Sequence, residues 1–190
     1  MKTGNSISAV AGAIAVALMP AMASAGVIGG VNLWPEYDYG EFFSIADHHD
    51  FKVVLAGNPF PATEMAAVAR DLLPAMQAAK PRPALTFAYD VAVEKDQPDY
   101  RLVMVFDAAD DLASVEVCRG ESRFKPGRPG LFKAYVVYCR NDQVMTETTA
   151  WTPASNAADP RVERLFRELF MAVFPDSHAL KPNVGDGNHN

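Results

Sequence analysis

Apolar and polar positions alternate most regularly in the middle of this chain. Over residues 85–93, Leu85, Phe87, Tyr89, Val91 and Val93 point one way and Thr86, Ala88, Asp90 and Ala92 the other, the period of two of a half-buried strand. Two further stretches, FKVVLA over 51–56 and YRLVMVF over 100–106, are nearly continuous apolar runs. Strands buried on both faces carry such runs. The turn-forming EKDQPD between 85–93 and 100–106 predicts that these two segments form a hairpin. Residues 131–139 (LFKAYVVYC) and 144–152 predict a second hairpin about Arg140, Asn141 and Asp142. Thr146, Thr148 and Thr149 suit the last strand to an exposed face or a sheet edge. A weaker strand is expected over 113–118.

Two segments show helical spacing instead. Over 62–79, Met65, Val68, Ala69, Leu72 and Met76 form one apolar stripe, and Pro74 should kink or end that helix near Leu73. Near the C-terminus Asp159 suits an N-cap and Pro160 the first helical position. Val162, Leu165, Phe166, Leu169, Phe170 and Val173 then line a broad apolar face, closed by Phe174-Pro175. Residues 26–50 follow neither period and read as an irregular, aromatic leader. Residues 175–190 are polar and read as a flexible tail. The expected fold is α+β: one domain over 51–174, with a largely antiparallel sheet of about five strands and two helices packed on one face.

The first 25 residues change the setting. Lys2, an apolar stretch over 7–22 and Ala23-Ser24-Ala25 describe a secretory signal peptide, with cleavage expected before Gly26. The stretch is shorter than the roughly 20 residues of a membrane span, and no second long apolar run follows. The remainder is therefore expected to be a soluble periplasmic or secreted protein. In that setting the two cysteines, Cys118 and Cys139, read as one structural disulfide. A simple hairpin turning near Phe124 would not bring them together, so the bond requires the intervening loop to fold back, or the two segments to be neighbours through a different register. The net charge of −6 argues against general nucleic-acid binding, which wants a basic surface.

The order of strand (FKVVLA), helix (MAAVARDLL), hairpin (LTFAYDV and YRLVMVF) and closing helix (RVERLFRELF) resembles that of ABC-type transport auxiliary lipoproteins. The resemblance covers most of residues 51–174 as element order. It implies an envelope role and supplies no active-site residues. The lipidated cysteine of those proteins is missing here.

Candidate chemistry is sparse. Ser122-Arg123-Phe124-Lys125 fits S-x-x-K, but the penicillin-binding motif opens a helix and has S-D-N and K-T-G partners, whereas these residues lie in a Gly/Pro loop. Asp47-His48-His49-Asp50 concentrates metal-ligating groups without a helix or turn to aim them at one ion, so no metal or cofactor is expected. Asp107, Asp110 and Asp111 lack the spacing of a calcium loop. The strongest polar feature is the loop with Arg119, Arg123, Lys125, Arg128 and Lys133 against Glu121, a candidate site for an anionic lipid or glycan. Trp34, Tyr37, Tyr39, Phe42 and Phe43 are expected to pack over the domain's own sheet, with a partner surface as the alternative. No P-loop, G-x-S-x-G, H-E-x-x-H or dinucleotide fingerprint occurs. These observations favour a non-enzymatic periplasmic binding or accessory protein that meets an envelope protein or anionic surface. A hydrolase with a dispersed active site and a dimerisation module pairing through 144–152 are the alternatives.

Overall fold

A computed structural model describes residues 26–93 and 97–176 of the chain. The signal segment, His178, His189 and most of the tail lie outside the described residues. Chain order is β1 (Val27–Ile28), β2 (Asn32–Leu33), α1 (Tyr39–Ala46), β3 (Asp50–Ala56), α2 (Met65–Ala78), β4 (Thr86–Ala88), β5 (Tyr100–Phe106), α3 (Ser114–Cys118), β6 (Leu131–Arg140), β7 (Gln143–Pro153) and α4 (Pro160–Val173). The class is α+β as expected, and the sheet differs. Among the described residues it is seven-stranded and mixed, in the order β1-β7-β6-β5-β3-β4, with β2 also on β7.

The anticipated first hairpin does not form. β3 lies between β4 and β5 and runs parallel to both, because α2 carries the chain back before β4 as a parallel crossover requires. Two strands apolar on both faces, β3 and β5, thus sit side by side in the sheet interior. The alternating segment 85–93 contributes only Thr86–Ala88. The second hairpin forms as expected, β6 pairing β7 from Leu131 with Pro153 to Arg140 with Gln143, and Asn141 takes the positive φ of 52° at its turn.

The leader is structured, which corrects the irregular reading. β1 and β2 pair antiparallel with β7, so the expected free edge over 144–152 is covered. Asp38 caps α1 by accepting from the Glu41 N–H at 3.0 Å. Two-residue strands and an eight-residue helix are too short to display a period, which is why the pattern was silent. Just past α4, Pro175 also belongs to the fold, its carbonyl accepting from Tyr37 Oη at 2.9 Å.

Two other expectations change. α2 continues through Pro74 to Ala78; Pro74 is exposed, so water can satisfy the carbonyl its missing N–H leaves unpaired. Residues 113–118 form a helix, not a strand. The Ala113 N–H donates to Glu116 Oε2 at 2.9 Å, which closes the first turn of α3.

The larger core lies between the sheet and α1, α2 and α4. Phe51, Phe87, Leu102, Met104, Phe132 and Tyr138 meet Phe42, Leu72, Met76, Phe166 and Phe170 there. All six apolar residues of the α4 stripe are buried, and Asp159 caps that helix by accepting from the Arg161 N–H at 2.9 Å. Three helices therefore pack on that core rather than two. A smaller core joins α3 to Val103, Val105, Val137 and Val144. Within it Cys118 and Cys139 are fully buried and bonded, with Cα atoms 5.6 Å apart.

Candidate functional site

The basic loop does fold back. Ala108 and Phe124 form a β-bridge, with the Ala109 N–H on the Arg123 carbonyl at 2.9 Å and the Lys125 N–H on the Asp107 carbonyl at 2.8 Å. This fold-back lets α3 present Cys118 to β6. Gly57 permits it as well, since a Cβ there would stand 2.9 Å from the Phe124 ring.

Folding back also pairs the loop's cations. Arg123 donates to both carboxylate oxygens of Glu116, at 3.1 and 3.0 Å, and to the Asp111 carbonyl at 2.9 Å. Its hydrogen bonds hold the Glu116 carboxyl below the ordinary glutamate range. Lys125 pairs with Asp110 and lowers that carboxyl by the same means. Burial raises Asp107 despite the opposing pull of Lys133 and Lys125. Over residues 107–133 five acidic side chains match the five basic ones. The acids that neutralise the loop precede it in sequence, so a reading confined to the loop counted Glu121 alone. Arg119 and Arg128 are exposed, and among the described residues neither forms an ion pair. Lys133 lines a hollow of about 240 Å³ with Asp110, Tyr135 and Thr149.

Beside that hollow stands a polar cluster that no local motif announces. Tyr135 Oη donates to Glu147 Oε2 at 2.5 Å and Asn32 Nδ2 to Glu147 Oε1 at 2.7 Å. Burial pushes the Glu147 carboxyl up, but hydrogen bonds from Ser114, Tyr135 and Asn32 outweigh it and hold it low. Burial raises Tyr135, reinforced by Glu147. This cluster ties β2, β6 and β7 together.

A larger cleft of about 470 Å³ opens at the start of β3, lined by Ser44, His49, Asp50, Lys52, Asp99 and Tyr100 with apolar Ile45 and Val91. Asp99 accepts from Lys52 Nζ at 3.2 Å and from Arg101 Nη1 at 2.6 Å. Asn141 holds the Asp99 N–H at 2.8 Å. α1 is fixed over this end by Glu41, which accepts from Tyr100 Oη at 2.6 Å and from Arg140 Nη1 at 3.0 Å. Burial, then the Glu41 hydrogen bond, raises the Tyr100 hydroxyl. The cleft draws on α1, β3 and β5, and so leaves no sequence motif.

The histidine-aspartate run is divided among different tasks. Asp47 accepts from the Ala84 N–H at 2.8 Å, His48 is exposed at a φ of 60°, and His49 and Asp50 reach the cleft. Among the described residues no three metal-ligating groups converge. Ser44, His49 and Asp50 share the cleft rim, yet no hydrogen bond links Ser44 to His49 or His49 to Asp50, as a nucleophilic relay would need. Ser122 is exposed in its loop and opens no helix. Of the leader aromatics, Phe42 and Tyr37 belong to the larger core, Tyr39 packs against it, and Trp34 packs against the smaller one. Phe43 is 40 % exposed.

No family model matches the chain, and no curated protein matches it. Among solved structures it is similar to the PelC dodecamer from Paraburkholderia phytofirmans, at 10 % identity and a TM-score of 0.41, over 78 % of this chain and 96 % of that one. A likeness at that level bears on no functional question here. Among the described residues no helix is long and apolar enough to cross a membrane.

Proposed function

We propose that this chain is an exported accessory protein of the bacterial cell envelope, which binds an anionic lipid or glycan, or an envelope protein, and carries no catalytic step. The observation that supports it most is the fully buried Cys118–Cys139 bond, since structural disulfides form and persist in oxidising compartments. The signal-like first 25 residues point the same way. The candidate contacts for an anion are the exposed side chains of Arg119 and Arg128 and, in its hollow, that of Lys133; Arg123 and Lys125 are already committed to carboxylates. Envelope assembly or lipid transport is the setting proposed; the element order that resembled ABC-type transport auxiliary proteins lends it no weight, since its hairpin over 85–106 does not form.

Co-sedimentation with vesicles tests it. The chain should pellet with vesicles containing anionic phospholipid at low salt and release as salt rises, and Arg119→Ser with Arg128→Ser should weaken the interaction. Indifference to anionic vesicles and to lipopolysaccharide at low salt would remove the anionic ligand from the proposal. A hydrolytic reading would draw on Ser44, His49 and Asp50, which share the cleft rim without the hydrogen bonds of a relay. Ester hydrolysis that disappears in Ser44→Ala would establish that reading over the binding one.

A further inference from the structure

β3 is shielded on its β4 side only as far as Lys52, which faces Ala88 in the last pair of those two strands. Successive residues of a strand turn their backbone N–H and C=O to alternate sides. The His49 carbonyl accepts from the Thr86 N–H at 3.0 Å, so residues 51, 53 and 55 turn theirs towards β4. Residues 52, 54 and 56 turn theirs towards β5, with which β3 pairs as far as Ala56. Beyond Ala88 the chain leaves the sheet. The N–H and C=O of Leu55 therefore face a side of β3 that, among the described residues, carries no strand.

This open edge borders a trough of about 340 Å³ between β3 and α2, lined by Val53, Val54, Leu55, Met65, Ala66 and Tyr89. No lining side chain is charged. Tyr89, one residue past the end of β4, lines it and donates its Oη to the Ala69 carbonyl at 2.6 Å. Edge strands with free backbone groups are commonly blunted by lysine, proline or a covering element. Residues 53–56, VVLA, contain neither lysine nor proline.

We propose that this edge is a docking site for an extended apolar peptide segment of another protein, which adds to β3 alongside Val53–Ala56 and lays aliphatic side chains in the trough. Two features select that occupant. The Leu55 N–H and C=O, spaced and aimed as in a strand, are matched by a peptide backbone, not by a lipid tail. The uncharged trough accepts apolar side chains and would penalise a charged one. The site is separate from the basic loop and does not depend on it binding anions.

Hydrogen exchange followed by NMR tests the free protein first. The Leu55 amide should exchange much faster than that of Val54, which is bonded to β5. A random heptapeptide library is then displayed on phage, panned against the folded chain, and its best binder synthesised. Binding should slow Leu55 exchange and shift the resonances of β3 and α2. N-methylation of the peptide on the strand-facing positions should abolish it, and methylation of the intervening positions should not. Ala66→Glu, at an exposed position of α2, should weaken it about tenfold by placing a charge in the trough. The proposal is overturned by equal protection of Leu55 and Val54 in the dilute free chain, by a library that yields no binder, or by a binder whose shifts map elsewhere. Light scattering that shows a dimer, with Leu55 protected only in the dimer, would assign the edge to a second copy and overturn it equally.

Discussion

Phe42 lies flat on Phe174, their rings parallel within 8° and their centroids 4.2 Å apart. The first residue belongs to a leader helix without a legible period, and the second caps the last helix of the fold. Phe51 and Tyr138 close around the same pair edge-on. Residues 26–50 are thus part of the domain, not an appendage to it.

Truncating that contact should be costly. Phe42→Ala removes a fully buried ring and is expected to destabilise the fold by about 3–5 kcal/mol, read as a lower urea midpoint at unchanged slope. Phe43→Ala, at a 40 % exposed neighbour, should move stability far less. Equal effects would return the leader to a loosely attached segment.

Reduction should matter through the unfolded chain. The Cys118–Cys139 bond spans a separation of 21 residues, for which loop closure contributes roughly 3 kcal/mol. Guanidinium melts of Cys118→Ser with Cys139→Ser should show a loss of that order. A variant as stable as the native chain under oxidising conditions would show that the bond constrains little.

Arg123 and Arg128 sit in one loop and should behave differently. Arg128→Ser is expected to leave the melting temperature almost unchanged, within the about 0.5 kcal/mol usual for surface positions. Arg123→Ser removes both bonds to Glu116 and the bond to the Asp111 carbonyl, and should lower the melting temperature clearly. The sequence alone predicts no such difference, because both read as solvated loop cations.

Asp159 should make the fold sensitive to acid. Hydrogen bonding from the Arg161 side chain holds its carboxyl down to about 2, against 3.8 in an ordinary aspartate. A depressed folded value means that its contribution is complete above about pH 4 and is lost as pH falls towards 2. Asp159→Ala should therefore cost about 1 kcal/mol at neutral pH, the usual worth of an N-cap. The difference from the native chain should close in melts taken near pH 2. A gap that stays constant with pH would show that the carboxylate charge plays no part in the cap.

The long periodic elements were legible in the sequence. α4 has six apolar positions and a cap, and β6 and β7 are long strands joined by a short polar turn. Pairing was less legible, because Leu85–Phe87–Tyr89 alternation states which face is buried without naming the neighbour, and β3 came between. Residues 113–118 read as a strand because they are too short for a period to separate strand from helix, and Glu116 reaching back to Ala113 makes them helix. At the candidate sites, the disulfide followed from two cysteines and an export signal. The pairing of Arg123 with Glu116, and the cleft where Lys52 and Asp99 meet, depend on residues far apart in sequence and leave no local pattern.

Export and the disulfide are checked together by intact mass spectrometry of the protein from periplasmic and cytoplasmic fractions of its own host, with alkylation under non-reducing conditions. The expected species is periplasmic, begins at Gly26, and has Cys118 and Cys139 that resist alkylation until reduced. A cytoplasmic species with both thiols free and Met1–Ala25 retained would contradict it.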